Sequence, residues 1–531
     1  MENNIYQNRW RLILPAALLL LPIIAWPAGP DQSIYLTAGR ILADGGAYYR
    51  DVADVKPPFI SFLFAAANGL FGEGILPVRL IEYGLQLLIL SLIARSLQIV
   101  GESRRTIVLA TVLYALLYAS LGPDGTPQPE SFVGLLLLPM MVAQIRWRNR
   151  SGAILVGLLS GLLFTLKFSF GIVILSAVAA EFLIFREPYR KSVRQALWIL
   201  FTGGIVVLLF FLTLLLFDTI SGWETMSGWI RGRLLHSIQS ENPLSLILRQ
   251  TGFYLGYGFT LTMLLGTFVA VTRTLKGERQ PENSLPASES IAQWRQLSVL
   301  TFFTLFASAL VELMFVPYQF SRIFIPAALL VAPVAVGLWE RKAEFTKGRY
   351  AKGVFVILIG IGFLFSPLPK YVSESWRGIA WRLSTGFSSG ESFDLSADQR
   401  WGEVQRLCDT IRSRSTGSAE VYAVSDIAAF FYSELRTSPT FGILHGHYLI
   451  ATFTPKELQQ EFVDYLRQGK PEFLILEQND AGAANIVGSA STLQALEKVE
   501  GFNDLLNSKY EEVCVTDSFV LYERVREEER R

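Results

Sequence analysis

Cysteine and histidine are scarce in this chain of 531 residues, which holds two of the first and three of the second. Such a set excludes a disulfide-built scaffold and a cysteine- or histidine-rich metal centre. Cys408 and Cys514 both fall in the C-terminal third. Isolated thiols of this kind are more often buried and apolar than paired, with a disulfide between them as the alternative. His236 has no other ligand types beside it and is a poor metal candidate. Charged residues make up only 18% of the chain, at a net charge of +1. No basic segment is interleaved with aromatics, so nucleic acid is not an expected partner. No glycine-rich phosphate loop follows a strand pattern, which leaves a nucleotide site without support. Internal repeats are absent, and the first apolar run, 12–26, lacks a small-x-small cleavage pattern and reads as an uncleaved span.

Apolar residues are abundant instead. At 51% hydrophobic and a mean hydropathy of +0.36 the chain exceeds the soluble norm and belongs mostly in a bilayer. A hydrocarbon core of about 30 Å needs about 20 apolar residues per helix, and about eleven stretches qualify. They centre on 12–28, 76–98, 105–121, 130–145, 152–167, 169–185, 196–217, 252–272, 297–316, 322–339 and 353–369. Basic residues cluster in alternate turns, at Arg9 and Arg11, Arg104 and Arg105, Arg146 to Arg150, Arg186 to Arg194, Arg273 to Arg279 and Arg341 to Lys352. The positive-inside rule makes that face cytoplasmic. The opposite face receives loop 30–75, a turn at 122–129, loop 218–250 and everything after Pro369. The expected organisation is an α-helical multi-span membrane domain, 1–370, followed by a soluble extracytoplasmic α/β domain, 371–531. In the latter, 421–424, 473–476, 512–515 and 519–522 read as strands between helical runs near 426–435, 455–468 and 491–507.

The stretch 31–79 is the polar exception between two apolar spans. Ser33, Thr37, Arg40 and Asp44 recur at helical spacing opposite Ile34, Ala38, Ile41 and Leu42, a pattern that predicts a helix lying flat on the membrane surface. Gly45 and Gly46 break it, Tyr48 and Tyr49 suit an interface, and Lys56-Pro57-Pro58 forces an extended turn before a second apolar segment, 59–71. Asp31 precedes the first helix, where it would be a favourable N-cap. Elsewhere, ionisable residues sit at the outer ends of spans: Arg79, Glu82, Glu130, Lys167, Glu312 and Arg322. Such residues are costly in a membrane and mark candidate sites, here a cavity opening outward. Simpler readings stand beside that one. Arg79 and Glu82 suit a local i,i+3 pair, Glu130 a helix start, and Lys167 a snorkelling span end. In loop 218–250, Trp223, Trp229, Arg231 and Arg233 suit either an interfacial anchor or a grip on lipid phosphate.

An acidic residue after the first span, an interfacial helix, Gly46-x-x-Tyr49-x-Asp51, Lys56-Pro57-Pro58 and Phe71-Gly72 followed by Arg79 together resemble the first outer loop of GT-C glycosyltransferases. The protein O-mannosyltransferase and aminoarabinose transferase branch is the nearest in pattern. The resemblance implies that Asp31 is the catalytic base, that Arg322, in a late span reading YQFSRIFIPAALL, lies near a donor phosphate, and that the outer domain contributes to acceptor binding or packing. Relatives carry an acidic pair where this chain has Asp31-Gln32, so one carboxylate stands alone.

The implied reaction moves a sugar from a polyprenyl phosphate to a lipid, glycan or protein acceptor on the outer face. Phosphate is a weak base as a leaving group, so cations suffice to hold its charge, and Lys56, Lys167, Arg231 and Arg322 are the candidates. One carboxylate can take the acceptor's proton in a direct displacement that inverts the anomeric centre. Asp31 takes that role, with Asp51, Asp54 and Glu130 as supporting acids. No cofactor is required by the sequence, and a divalent cation has no support in it. A transporter or flippase would show repeated halves and polar residues at mid-membrane, which are not evident. A silent scaffold is not separable from an enzyme on these residues.

Overall fold

A computed structural model of the chain describes residues 10–119, 121–185, 187–240, 286–313, 400–415, 417, 419–479 and 491–525, with isolated positions between 325 and 380. The chain divides into two compact units: Met1–Trp26, Val78–Leu212 and Glu241–Ser388 form one, and Pro27–Pro77, Thr213–Ser240 and Ser389–Arg531 the other.

The first unit is helical. Among the described residues, by length and composition, two helices can cross a membrane, Ile75–Val100 and Tyr189–Leu216, or three if Trp10–Ala25 and Pro30–Ala43 are taken as one bent span. Eleven spans were expected. The shortfall among the described residues has a local cause, because apolar segments are cut by turns. Arg150–Leu166 ends where Lys167 adopts an extended backbone, and a 3-10 turn, Phe168–Ile172, then leads into Val173–Leu183. Likewise Pro129–Phe132 is a 3-10 turn ahead of Val133–Arg146. The expected spans 252–272 and 353–369 lie outside the described residues, as does most of 322–339.

A buried polar knot ties the first unit. Arg79 is fully buried and donates to Glu82 Oε2 at 2.8 Å, to the Thr126 carbonyl at 2.6 Å, to Pro123 at 3.1 Å and to Trp26 at 3.3 Å. Tyr118 donates to the other Glu82 oxygen at 2.5 Å, and Tyr114 to Gln86 at 2.7 Å. The i,i+3 pair expected at Arg79 and Glu82 is present, and every other bond reaches a different segment. A buried guanidinium is tolerable only when its donors are so satisfied.

The second unit is built on a four-stranded sheet of order β1-β2-β4-β3, with β1 Val421–Val424, β2 Phe473–Glu477, β3 Tyr510–Val515 and β4 Phe519–Arg524. β1 and β2 are parallel, Val421 opposite Phe473, and the other pairs are antiparallel. Every residue of β1 and β2 is buried, as a parallel pair covered on both faces requires. Lys456–Arg467 turns Leu458, Phe462, Val463 and Leu466 inward. The run expected near 491–507 is two helices, Thr492–Leu496 and Phe502–Lys509, separated at Gly501 with φ +81°. Trp401–Arg414, also helical, was not foreseen. Cys408 and Cys514 are free thiols, and burial pushes the Cys408 thiol up.

Pro27–Pro77, with the polar stretch that follows the first apolar run, belongs to this same unit. Pro30–Ala43 is a helix begun by proline in its first turn and ended before Gly45, whose φ of +90° reverses the chain. It does not lie flat with one wet face: Gln32 to Gly39 and Ile41 are all buried. One side packs on Phe59–Phe71 so closely that a Cβ on Gly39 would stand 2.8 Å from the Ala65 nitrogen. The polar side meets the Ala428–Leu435 helix region, where Thr37 donates to Ala429 at 3.4 Å and Arg40 to the Tyr432 and Thr437 carbonyls. What reads as a solvent face is thus a face that bonds to backbone carbonyls 392 or more residues away.

Candidate active site

Asp31 stands in the first turn of Pro30–Ala43 and is not its cap. Gly29 occupies the N-cap position, and Gln32 reaches back to accept the Gly29 N–H at 3.0 Å. The capping expected of Asp31 is therefore done by Gln32, as the third-position half of a capping box. Asp31 is left with its carboxylate 43% exposed and 3.0 Å from the Lys56 ammonium, which is 19% exposed. Lys56 also donates to the Tyr35 hydroxyl at 2.6 Å and lies 4.8 Å from that ring's centre. A carboxylate at a helix N-terminus beside an ammonium favours its ionised form on both counts.

The segment carrying Lys56 is tightly specified. Tyr49 takes φ +72°, a left-handed conformation rare for a bulky side chain. It is held by its N–H donating to Val52 at 2.7 Å and by close approach of Gly222, where a Cβ would fall 1.7 Å from the Tyr49 carbonyl oxygen. Tyr48 and Tyr49 stack edge to face at 4.7 Å and both donate to the Lys56 carbonyl, at 3.3 and 3.0 Å. They are 5% and 3% exposed, so they are internal braces and not the interfacial rings expected.

The supporting carboxylates part company. Asp51 pairs with neighbouring Arg50 and accepts the Ala47 N–H at 2.7 Å, and the Arg50 bonds hold its carboxyl below the usual range. Asp54 is 2% exposed, accepts the Tyr448 hydroxyl at 2.6 Å and the Val55 N–H at 2.7 Å, and burial pushes its carboxyl up. Glu130 and Lys167 form an ion pair with each other inside the first unit, at 4% and 7% side-chain exposure. Arg231 is exposed on the Ile220–Ser240 helix. Arg322 lies outside the described residues, as do the side chains of Arg233 and His236. Among the described residues no group of three or more His, Cys, Asp or Glu is placed to hold a metal ion.

Of the expected site residues, the second unit thus brings together Asp31, Lys56 and Asp54. Gln32, Tyr35 and Tyr448 are additions. Gln32 had a readable signal in its spacing from Gly29 and Pro30. Tyr448 had none, being 394 residues from the aspartate it touches.

Residues 55–217 match the family of dolichyl-phosphate-mannose-protein mannosyltransferases. The apo oligosaccharyltransferase of Archaeoglobus fulgidus aligns with 96% of the chain and 73% of its own, at 11% identity and a TM-score of 0.52. The same enzyme tethered with an acceptor peptide aligns with 98% and 74%, at 11% identity and 0.51. ArnT from Cupriavidus metallidurans bound to undecaprenyl phosphate aligns with 97% and 98%, at 14% identity and 0.47. No curated protein matches. The shared architecture is that of GT-C membrane enzymes. The family match covers the segment that begins beside Lys56, and the fold is the one these transferase structures share.

Proposed function

We propose that the chain transfers a sugar from a polyprenyl-phosphate carrier to a hydroxyl or amine acceptor at the outer membrane face, with inversion. The observation that carries this reading is the Asp31–Lys56 pair, a part-exposed carboxylate and ammonium 3.0 Å apart on a braced loop. In the reaction the acceptor oxygen or nitrogen forms its bond to the anomeric carbon while the bond from that carbon to the phosphate oxygen breaks. The acceptor's proton passes to Asp31, a transfer worth about 10²–10⁴-fold when the base is positioned. The electron pair leaves on polyprenyl phosphate, whose charge Lys56 holds by a charge-assisted hydrogen bond. Arrival of a phosphate beside Lys56 competes with Asp31 for the ammonium and frees the carboxylate to act as base. Tyr35 keeps Lys56 in place through that exchange. The matched family takes its mannose from dolichyl phosphate, a carrier of this chemical class, which supports the choice of donor.

The orientation that goes with this reading puts the basic turns in the cytoplasm and the second unit outside. A cysteine introduced at exposed Gln460 should react with an impermeant reagent in intact cells, and one at exposed Arg150 should not. The direct test of function incubates the purified protein with a panel of polyprenyl-phosphate sugars and measures released polyprenyl phosphate. Release by the parent chain and its loss in Asp31→Asn is the expected pair of results. Equal release by both would remove Asp31 from the chemistry.

A further inference from the structure

Asp54 is a buried carboxyl beside Lys56 to which the transfer chemistry assigns no step. Its Oδ1 accepts both the Tyr448 hydroxyl and the Val55 N–H, while its Oδ2 is buried with no hydrogen-bond partner. A carboxyl so placed is expensive unless something depends on it. What depends on it is the backbone one residue before Lys56. Two further contacts fasten the same segment to the same part of the second unit: Ala53 donates to the Gly442 carbonyl at 2.9 Å and bridges Ile443 in parallel. Tyr448 is itself fixed, edge-on to Trp229 at 4.6 Å and stacked on His445 at 5.1 Å. Its carbonyl accepts from Thr454 at 3.1 Å.

We propose that Tyr448 is a positioning residue for sugar transfer: its hydroxyl fixes Asp54, and through Asp54 the backbone that presents Lys56 to Asp31. The sheet-bearing C-terminal part of the chain is then a working wall of the donor-phosphate site. This rests on the reading of Asp31 and Lys56 given above. The left-handed Tyr49 makes the loop a strained segment, and strain persists only where the surroundings over-determine it. Three side-chain hydroxyls do so here, those of Tyr48 and Tyr49 on the Lys56 carbonyl and that of Tyr448 on Asp54. Two of these hydroxyls come from the loop itself, and that of Tyr448 comes from distant sequence. A displacement of about 1 Å in a reacting group costs about 10²-fold in rate, so one hydroxyl has leverage.

The groups facing Asp54 are Lys56 and Asp31, with Tyr48, Tyr49 and Tyr448, and His445 lies behind Tyr448. The clamp is tightest with Asp54 ionised, because the carboxylate accepts from Tyr448 and Val55 by charge-assisted bonds and also balances Lys56, whereas the neutral acid accepts more weakly. Activity therefore falls as pH drops through the Asp54 value. Removing the Tyr448 hydroxyl takes away a bond that favours the ionised form and moves that acid limb upward.

The test uses the full chain in lipid nanodiscs with three variants: Tyr448→Phe, Asp54→Asn and, as a control, Tyr422→Phe, which loses a hydroxyl bond to the Ile443 carbonyl and touches no carboxyl. Transfer is followed across pH, binding of polyprenyl phosphate at neutral pH, and amide hydrogen exchange over 53–56. For Tyr448→Phe we expect about 10-fold or greater loss of kcat/KM, an acid limb higher by about one pH unit, weaker polyprenyl phosphate binding and faster exchange at 53–56. Asp54→Asn should lose the limb altogether, and Tyr422→Phe should leave its position unmoved. The same limb in Tyr448→Phe as in the parent, or the same upward movement in Tyr422→Phe, overturns the proposal. Absence of transfer by the parent chain would sink the function instead; polyprenyl phosphate binding and exchange over 53–56 would still decide for or against the clamp.

Discussion

Lys56–Asp31 and Lys167–Glu130 are both lysine–carboxylate pairs, and both lysines were candidates for holding the donor phosphate on sequence grounds. Their surroundings differ. The first pair is 19% and 43% exposed on a loop, the second 7% and 4% exposed inside a helical unit. A half-exposed pair can exchange partners with an incoming phosphate at small cost. A buried pair cannot do so cheaply, because separating the two charges in a desolvated place costs several kcal/mol. In the proposed reading accessibility, more than charge, divides the chemistry from the scaffold.

The comparison breaks most sharply at Asp31. Asp31→Asn should cut turnover by about 10²–10⁴-fold. Because Gln32 does the capping, stability should change little, by about the 0.3–1 kcal/mol of a first-turn charge and the 0–1 kcal/mol of a part-exposed ion pair. Donor-lipid release assays and thermal unfolding in detergent read the two effects separately. Near-normal turnover would place the base elsewhere.

The opposite behaviour is expected of the buried cations. Lys167→Met should destabilise the folded protein by about 3–5 kcal/mol, since Glu130 loses its cationic partner while still buried. Combining it with Glu130→Leu should recover most of that loss, which a double-mutant cycle on unfolding would show. Arg79→Met should resemble the single variant and find no such rescue from Glu82→Leu, because the guanidinium also serves carbonyls of Thr126, Pro123 and Trp26. If Lys167→Met were fully stable yet unable to bind polyprenyl phosphate, the two lysine pairs would be alike after all.

These contrasts also measure what was legible in the amino-acid order. Strands β1, β2, β3 and β4 were readable because short β-branched and aromatic runs stand between turn residues, and the Arg79–Glu82 pair because i,i+3 spacing is local. Helix 30–43 was readable as a helix and misread as a surface one. Thr37 and Arg40 look like solvent-facing residues until carbonyls of Ala429, Tyr432 and Thr437 are brought to them. The same holds for Tyr48 and Tyr49, whose hydroxyls suggest a membrane interface and in fact brace Lys56. Polarity along a sequence reports the need for hydrogen bonds; it does not say whether water or distant backbone meets it. The ion pair between Lys167 and Glu130 is hidden for the same reason, being 37 residues apart.

Asp54 offers a subtler test, in stability against pH. Its folded-state carboxyl is raised by burial, so at pH values between the unfolded and folded ones the native state keeps a proton that the unfolded chain releases. Stability from this group is whole below about pH 4, the unfolded value, and is lost as pH rises through the folded one. Asp54→Asn should flatten that part of the stability profile and leave the remainder. Asp31→Asn should not reproduce that flattening, and an equal response in both variants would contradict the difference in their burial. The loop would then need, for activity, the ionisation that the fold disfavours.

The smallest effect separates adjacent residues. Gln32→Ala removes the acceptor that satisfies the Gly29 N–H at 3.0 Å, in a position where both groups are buried and water cannot replace it. Loss of a helix cap of this kind costs about 0.5–2 kcal/mol. Asp31→Ala removes a favourable charge near the helix dipole, about 0.3–1 kcal/mol, and a part-exposed ion pair with Lys56 worth about 0–1 kcal/mol. The two substitutions should therefore rank in opposite order by the two measurements: Gln32→Ala more damaging to thermal stability with catalysis largely kept, Asp31→Ala more damaging to catalysis with stability largely kept. If Asp31→Ala proved the less stable of the two, Asp31 would be a structural residue, and its pair with Lys56 would belong with the buried pair of Lys167 and Glu130.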